Sequence, residues 1–206
     1  MQKSTYFKTG NFAWIDLETS GLFPGEDGAC ILECALIVTD PRLNEIHRCN
    51  WLFEPLSDEH TWHQKVLEMH TKSGLLQAIV DADHLESHES AEAEIYIKLR
   101  QFGCIEALVL DEHWRSPLCG STPQFDRNWM DTFMPKVTRA LSYRNLDVSS
   151  WYYPAQYFGV NGLPEGDAPK HRAMDDIQWS LSTFKKTFNQ VANCNKQFGA
   201  QGLVNV

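Results

Sequence analysis

Hydrophobic residues change their repeat at Pro55, and that change limits the folds open to this chain. Before Pro55 stand three short runs of apolar, aromatic and β-branched residues, at 11–17, 31–39 and 48–53, closed by Thr19-Ser20-Gly21, Asp40-Pro41 and Glu54-Pro55. Such runs bounded by turn residues read as strands. The links between them are too short for crossover helices, so the strands form an antiparallel meander. Beyond Pro55, 62–70 and 73–80 read as short helices. A longer helix follows at 89–102, with Ala91, Ile95, Leu99 and Phe102 on one stripe and Gly103 as its stop. A strand at 117–119 leads through Gly120 into a helix at 125–133 that stops near Pro135. A strand at 143–148 feeds a helix at 149–158, which Pro154 shortens or kinks. Gly and Pro make 159–170 a loop, and from Met174 the positions Ile177, Leu181, Phe184 and Phe188 recur at helical spacing. This order predicts an α/β sandwich on a mixed sheet rather than an alternating barrel.

The length, 206 residues, is that of one domain. The folded domain is expected over 11–190, after an extension at 1–10 and before a tail at 191–206 that loses all periodicity from Asn195. Lys and Arg number 18 against 27 Asp and Glu, a net charge of -9, which excludes a basic nucleic-acid coat. An acidic chain acts on nucleic acid where metal ions or a local basic patch offset the repulsion of its carboxylates. The longest apolar stretch, 30–38, is broken by Glu33 and reaches about half a bilayer span. Residues 1–10 hold no apolar run of the signal-peptide kind. These features predict no membrane partner and an intracellular, cytoplasmic setting. The six cysteines form no CxxC pair and no zinc-like grouping, as expected of reduced, mostly buried thiols.

Asp16 and Glu18 close the first predicted strand two residues apart, so both side chains face the same way. Two like charges there call either for solvent at an exposed strand end or for a cation between them. Asp126 opens a helix straight after a strand and a Gly-containing turn, where it either complements the helix dipole or projects at the sheet edge. In His171-Arg172-Ala173-Met174-Asp175-Asp176 a His precedes a helix whose first turn holds two Asp. Neighbouring helix positions point about 100° apart, so one of the two faces a shared site. Acidic groups from these distant segments can converge on hard divalent cations. Two such ions clamp a phosphodiester, and a neighbouring imidazole, titrating near neutral pH, can take the proton of the attacking water.

With those residues in view, the sequence resembles the DEDD-type exonucleases of the His-containing branch, and within it the oligoribonuclease family. The resemblance runs over 11–188 and rests on several motifs. The first is Trp14-Ile15-Asp16-Leu17-Glu18-Thr19-Ser20-Gly21-Leu22, joined by Asp126 and His171-x-Ala173-Met174-Asp175-Asp176-Ile177. The others are His70-Thr71-x-Ser73-Gly74-Leu75, Ser116-Pro117-x-Cys119-Gly120 and Tyr143-Arg144-x-Leu146-Asp147-Val148-Ser149. It implies a ribonuclease H-like fold, a homodimer, and two magnesium or manganese ions held by Asp16, Glu18, Asp126 and Asp176, with Asp16 bridging and His171 as general base. It implies 3′-to-5′ hydrolysis of short single-stranded RNA to 5′-mononucleotides. Leu22 would wedge against the bases, Arg144 and Ser149 would cap the 5′ phosphate, and Tyr143 and His70 would complete the site, across the dimer if need be. As bland alternatives, Leu22 anchors a loop, Arg144 is a surface charge and Tyr143 belongs to the core.

The chain departs from the family pattern in places. Gly120-Ser121-Thr122 stands for Gly-Asn-Ser, and the family's stacking aromatic falls near Lys65, with Trp62 about one turn away. The segment 105–114 and the tail have no counterpart. Two other functions keep the same residues: 3′ trimming of DNA or structured RNA, and a dimeric binding module without turnover.

Overall fold

The computed structural model describes residues 10–59, 62–105, 115–157 and 170–199, with side chains to residue 189. Five strands form one mixed sheet in the order β3-β2-β1-β4-β5: β1 (Phe12–Thr19), β2 (Ile31–Thr39), β3 (Glu45–Leu52), β4 (Leu118–Gly120) and β5 (Asn145–Asp147). The first three pair antiparallel, as the short links require, while β1, β4 and β5 run parallel. The carboxyl ends of the three parallel strands therefore meet at one edge, where open α/β sheets bind ligands.

Seven helices cover the sheet among the described residues: α1 (Gln64–Ser73), α2 (Leu75–Val80), α3 (His88–Gln101), α4 (Pro123–Phe133), α5 (Pro135–Ala140), α6 (Ser149–Tyr157) and α7 (Ala173–Gly199). The strand period sorts the two layers. Ala13, Ile15 and Leu17 of β1 pack with Ile95, Leu99, Trp129 and Val137 of α3, α4 and α5. Trp14 faces the other way, with Ala35 and Ile37 of β2, against Ala173, Ile177 and Leu181 of α7. Every residue of β2 is buried, since both layers cover it. Each fully buried Ile, Leu or Val there contributes about 1.5–3 kcal/mol.

Several bounds differ from the sequence reading. β1 continues to Thr19, so Asp16 and Glu18 lie inside the ladder rather than at its end. The two short helices are parted by Gly74, whose left-handed φ of 76° ends α1 and turns the chain into α2. Pro135 stops α4 and at once opens α5, which the sequence did not suggest. α7 continues to Gly199, through 191–199 of the expected tail. Most of the expected loop at 159–170, most of the segment 105–114, residues 1–9 of the extension and residues 200–206 lie outside the described residues. No helix among the described residues is long and apolar enough to cross a membrane.

Candidate active site

β4 pairs with β1 only as far as Trp14, which leaves the β4-facing edge of β1 open beyond it. Asp126, in the first turn of α4, fills that edge: its Oδ1 accepts the Leu17 N–H at 3.0 Å, and the residue is only 4% exposed. Asp16 and Glu18 project from the face of β1 that carries Trp14, toward α7. From α7, Asp176 turns back on the preceding segment, its Oδ1 accepting the Lys170 N–H at 2.8 Å and its Oδ2 the His171 N–H at 3.0 Å. His171 itself has a left-handed φ of 55°.

One cleft of about 900 Å³ takes in Asp16, Glu18, Asp126, His171 and Asp176. Within it, ligating atoms of Glu18, His171 and Asp176 lie within 4.8 Å of one another. Four carboxylates in one cleft resist ionisation. Burial first, then the charges of Asp126, Glu18, Asp176 and Glu33, push Asp16 well above the ordinary carboxylate range. Burial, reinforced by Asp176, Glu33 and Asp126, pushes Glu18 up to about 8, against an opposing pull from Arg172. Asp126 is pushed up to about 7 by burial, against the stabilising Leu17 N–H, and Asp176 is raised by burial against the N–H groups of Lys170 and His171. The donor set, four carboxylates and one imidazole, suits a hard divalent cation.

The rim and walls account for the other expected residues. Leu22 is 66% exposed and lines the cleft, as do Trp62 and Lys65. The Trp62 indole N–H donates to Ser57 Oγ at 3.0 Å, and that hydroxyl donates to the Gly28 carbonyl at 2.8 Å, which fixes the ring. His70 is fully buried behind the acids rather than on the cleft wall: Nε2 lies 2.9 Å from the Thr19 carbonyl, and Nδ1 lies 3.9 Å from Glu18 Oε2. Burial lowers its pKa, so the imidazole is neutral and Nε2–H is the donor. Tyr143 and Arg144 are exposed, with the guanidinium over the ring at 5.1 Å, and neither they nor Ser149 line the cleft of the single chain. Tyr143 is thus not a core residue. Ser149 approaches the cleft through Thr122, its Oγ 3.2 Å from Thr122 Oγ1.

Two acids escaped the sequence reading as parts of the site. Glu33 stands directly across the ladder from Glu18, and Asp147 binds the N–H groups of Thr122 and Ser149 at 3.0 and 2.9 Å. Glu33 had one signal, a single charge inside an apolar run, because a charge buried in a strand needs partners.

No protein-family model matches the chain. It is 33% identical over 177 residues to the oligoribonuclease of Francisella tularensis subsp. novicida, covering 85% of this chain and 92% of that one. It is 34% identical over 184 residues to the oligoribonuclease of Alcanivorax borkumensis, with the same coverage. Among solved structures, the zinc-bound E. coli exonuclease I complex with single-stranded DNA superposes with a TM-score of 0.66 at 15% identity, over 89% of this chain. The match spans 41% of that chain. The shared architecture is the ribonuclease H-like exonuclease fold. By sequence along nearly the whole length of its relatives, the chain belongs to the oligoribonuclease family.

Proposed function

We propose that the cleft shortens oligoribonucleotides a few residues long from their 3′ ends, releasing 5′-mononucleotides, with two magnesium or manganese ions held by Asp16, Glu18, Asp126 and Asp176. Membership of the oligoribonuclease family makes the chain a 3′-to-5′ exoribonuclease. The metals, the substrate length and the residue roles are the proposal. The observation that carries it is the meeting of Glu18, His171 and Asp176, with ligating atoms within 4.8 Å, in a cleft that Asp16 and Asp126 also line.

The raised carboxyls fit such ions, because a site that suppresses its own ionisation gains most from a counter-charge. When bound, the cations would lower the pKa of the attacking water and offset charge on the leaving oxygen. Asp16, which feels the charges of Asp126, Glu18 and Asp176, would hold both ions together with them. A ring nitrogen of His171 accepts the proton of the water. His70 stands behind Glu18, anchored to the Thr19 carbonyl, and Leu22 packs against a base at the rim. Tyr143, Arg144 and Ser149 lie outside the wall of the single chain, which suits a homodimer in which they close a partner's cleft and cap the 5′ phosphate. A cytoplasmic setting belongs to the same reading, in keeping with the free thiols of Cys30, Cys34, Cys49, Cys104 and Cys119.

The test is hydrolysis of 5′-labelled RNAs of graded length with Mg²⁺ or Mn²⁺. Dinucleotides should disappear fastest, and Asp16→Ala should abolish turnover. Equal rates for long chains would refute the preference for short ones, and a fully active Asp16→Ala would refute the metal mechanism. A second reading, 3′ trimming of DNA or structured RNA, draws support from the placement of Arg144 away from the cleft wall. Arg144→Ala with unchanged dinucleotide turnover decides for it.

A further inference from the structure

Glu33 is 1% exposed and sits across the ladder from Glu18, a placement that two bare carboxylates would not tolerate. The next rung is irregular: Thr19 pairs with Ile31, so Leu32 bulges out beside the acids. What holds Glu33 comes mainly from the segment before α7. Its Oε2 accepts the Ala173 N–H at 2.9 Å and Arg172 Nε at 3.1 Å, and its Oε1 accepts Arg172 Nη2 at 2.9 Å. Asn50 Nδ2 supplies a fourth bond at 3.0 Å. This is a bidentate guanidinium pair made with a carboxylate rooted in the centre of the sheet.

His171 is the residue just before this pair, and its φ of 55° lies in the left-handed region that a side chain other than glycine rarely adopts. Such a conformation persists where its surroundings over-determine it. Here the Asp176 carboxylate fixes the N–H groups of Lys170 and His171, while Glu33 fixes Arg172 and Ala173. The backbone of residue 171 is thus pinned on both sides.

We propose that Glu33 and Arg172 are positioning residues that set the His171 imidazole against the water to be deprotonated, through the left-handed backbone they hold. This deepens the reading of the cleft given above and rests on it. Asp16 and Glu18 stand on β1, Asp126 is bonded to β1, and Asp176 belongs to α7 itself. Loosening the pair therefore moves the imidazole and leaves the four carboxylates in place. The effect falls on kcat, with KM for a dinucleotide retained and affinity for Mn²⁺ falling far less than kcat, by no more than the loss of the Arg172 pull on Glu18 entails.

The experiment uses the full chain, with Arg172→Gln, Arg172→Lys, Glu33→Gln and Asp16→Asn as variants. It reads dinucleotide kcat and KM, and Mn²⁺ affinity by calorimetry. Glu33→Gln, isosteric and leaving a guanidinium that reaches solvent, keeps the fold even where Arg172→Gln, which strips the buried Glu33 carboxylate of its guanidinium, does not, and is then read in its place. A base displaced by about 1 Å costs on the order of 100-fold, and kcat of Arg172→Gln should fall by about that factor. Arg172→Lys should recover only part, since an ammonium cannot make both bonds to Glu33. The proposal is overturned by an unchanged kcat in Arg172→Gln, or by a loss of Mn²⁺ affinity that matches the loss of kcat. A wild type without turnover, or an active Asp16→Asn, overturns the underlying reading and the proposal with it. An active wild type, an inert Asp16→Asn and a wild-type-like Arg172→Gln overturn the positioning pair alone.

Discussion

Two helices carry an acid into the cleft, and their starts are held in contrasting ways. α4 follows Thr122 and α7 follows His171-Arg172, and Thr122 and His171 share a left-handed φ of 55°. At α4 the holding carboxylate is Asp147, half-buried, which takes the Thr122 N–H at 3.0 Å and the Ser149 N–H at 2.9 Å. At α7 it is Glu33, buried in β2 and paired with a guanidinium. The acid of α4 has a second anchor in the Leu17 N–H, whereas the bonds described for His171 run through its main chain. A strained helix start is therefore expendable where the functional side chain is tied to the sheet directly. It is essential where the backbone alone aims that side chain.

The largest effect expected on the α4 side comes from the acid itself. Asp126→Asn keeps an oxygen for the Leu17 N–H and removes the charge, so the fold should survive while dinucleotide hydrolysis falls on the order of 10³-fold, the scale of several kcal/mol of lost charge stabilisation. Initial rates beside a circular dichroism spectrum check it. Retained activity would show that the two sides of the cleft are not chemically coupled.

The comparison explains what was legible before the structure. The alternating runs of β1 and β2 announce their layers, and the acids announce themselves by type and spacing, because strand period and helix start place a side chain without knowledge of its neighbours. Glu33 and Asp147 were not legible as holders. Their partners lie 139 positions away at Arg172 and 25 away at Thr122, and only the strand register brings them together. α5 was hidden for a local reason: at six residues it is too short to show a repeat, and Pro135 reads equally as a stop or a start. His70 carried a family role in substrate binding, yet complete burial turns its ring toward the Thr19 carbonyl and Glu18. Sequence spacing carries no information on that depth.

A second effect concerns the charge enclosed between the two helices. Glu18 at about 8 and Asp126 at about 7 lie above the values the same groups have in an unfolded chain, with Asp16 and Asp176 raised as well. Between the unfolded values near pH 4 and these raised ones, these four groups bind more protons in the metal-free fold than in the unfolded chain. Their contribution to stability is therefore greatest toward acid pH and is lost by about pH 7 to 8, while the burial that lowers His47, His70 and His88 works the other way below about pH 6.5. Divalent cations bind the ionised form and should reverse that slope, releasing protons as they bind. With Mn²⁺ at about 100 times its dissociation constant, the gain is about 2.7 kcal/mol, or roughly 5–10 °C in melting temperature at this size. Melting curves from pH 6.5 to 8, above the range in which the buried histidines contribute, with EDTA and with Mn²⁺, check the sign, and a metal-free protein that grows more stable across that range would contradict it.

The smallest effect isolates the α4 clamp. Asp147→Ala removes the acceptor for the Thr122, Ser149 and Ser150 donors, and water can replace it at that half-exposed position. The expected cost is about 1 kcal/mol, the usual loss for a helix cap, or about 2–4 °C. Dinucleotide turnover should stay within about threefold of wild type, because Asp126 keeps its bond to Leu17 and a freed Thr122 moves no catalytic atom by as much as 1 Å. Set beside the loss expected for Arg172→Gln, this is the sharpest form of the contrast. If Asp147→Ala instead lowers kcat as steeply as the Arg172 change does, the sheet bond to Leu17 is not what aims Asp126, and both helix starts position the chemistry through their backbones alike.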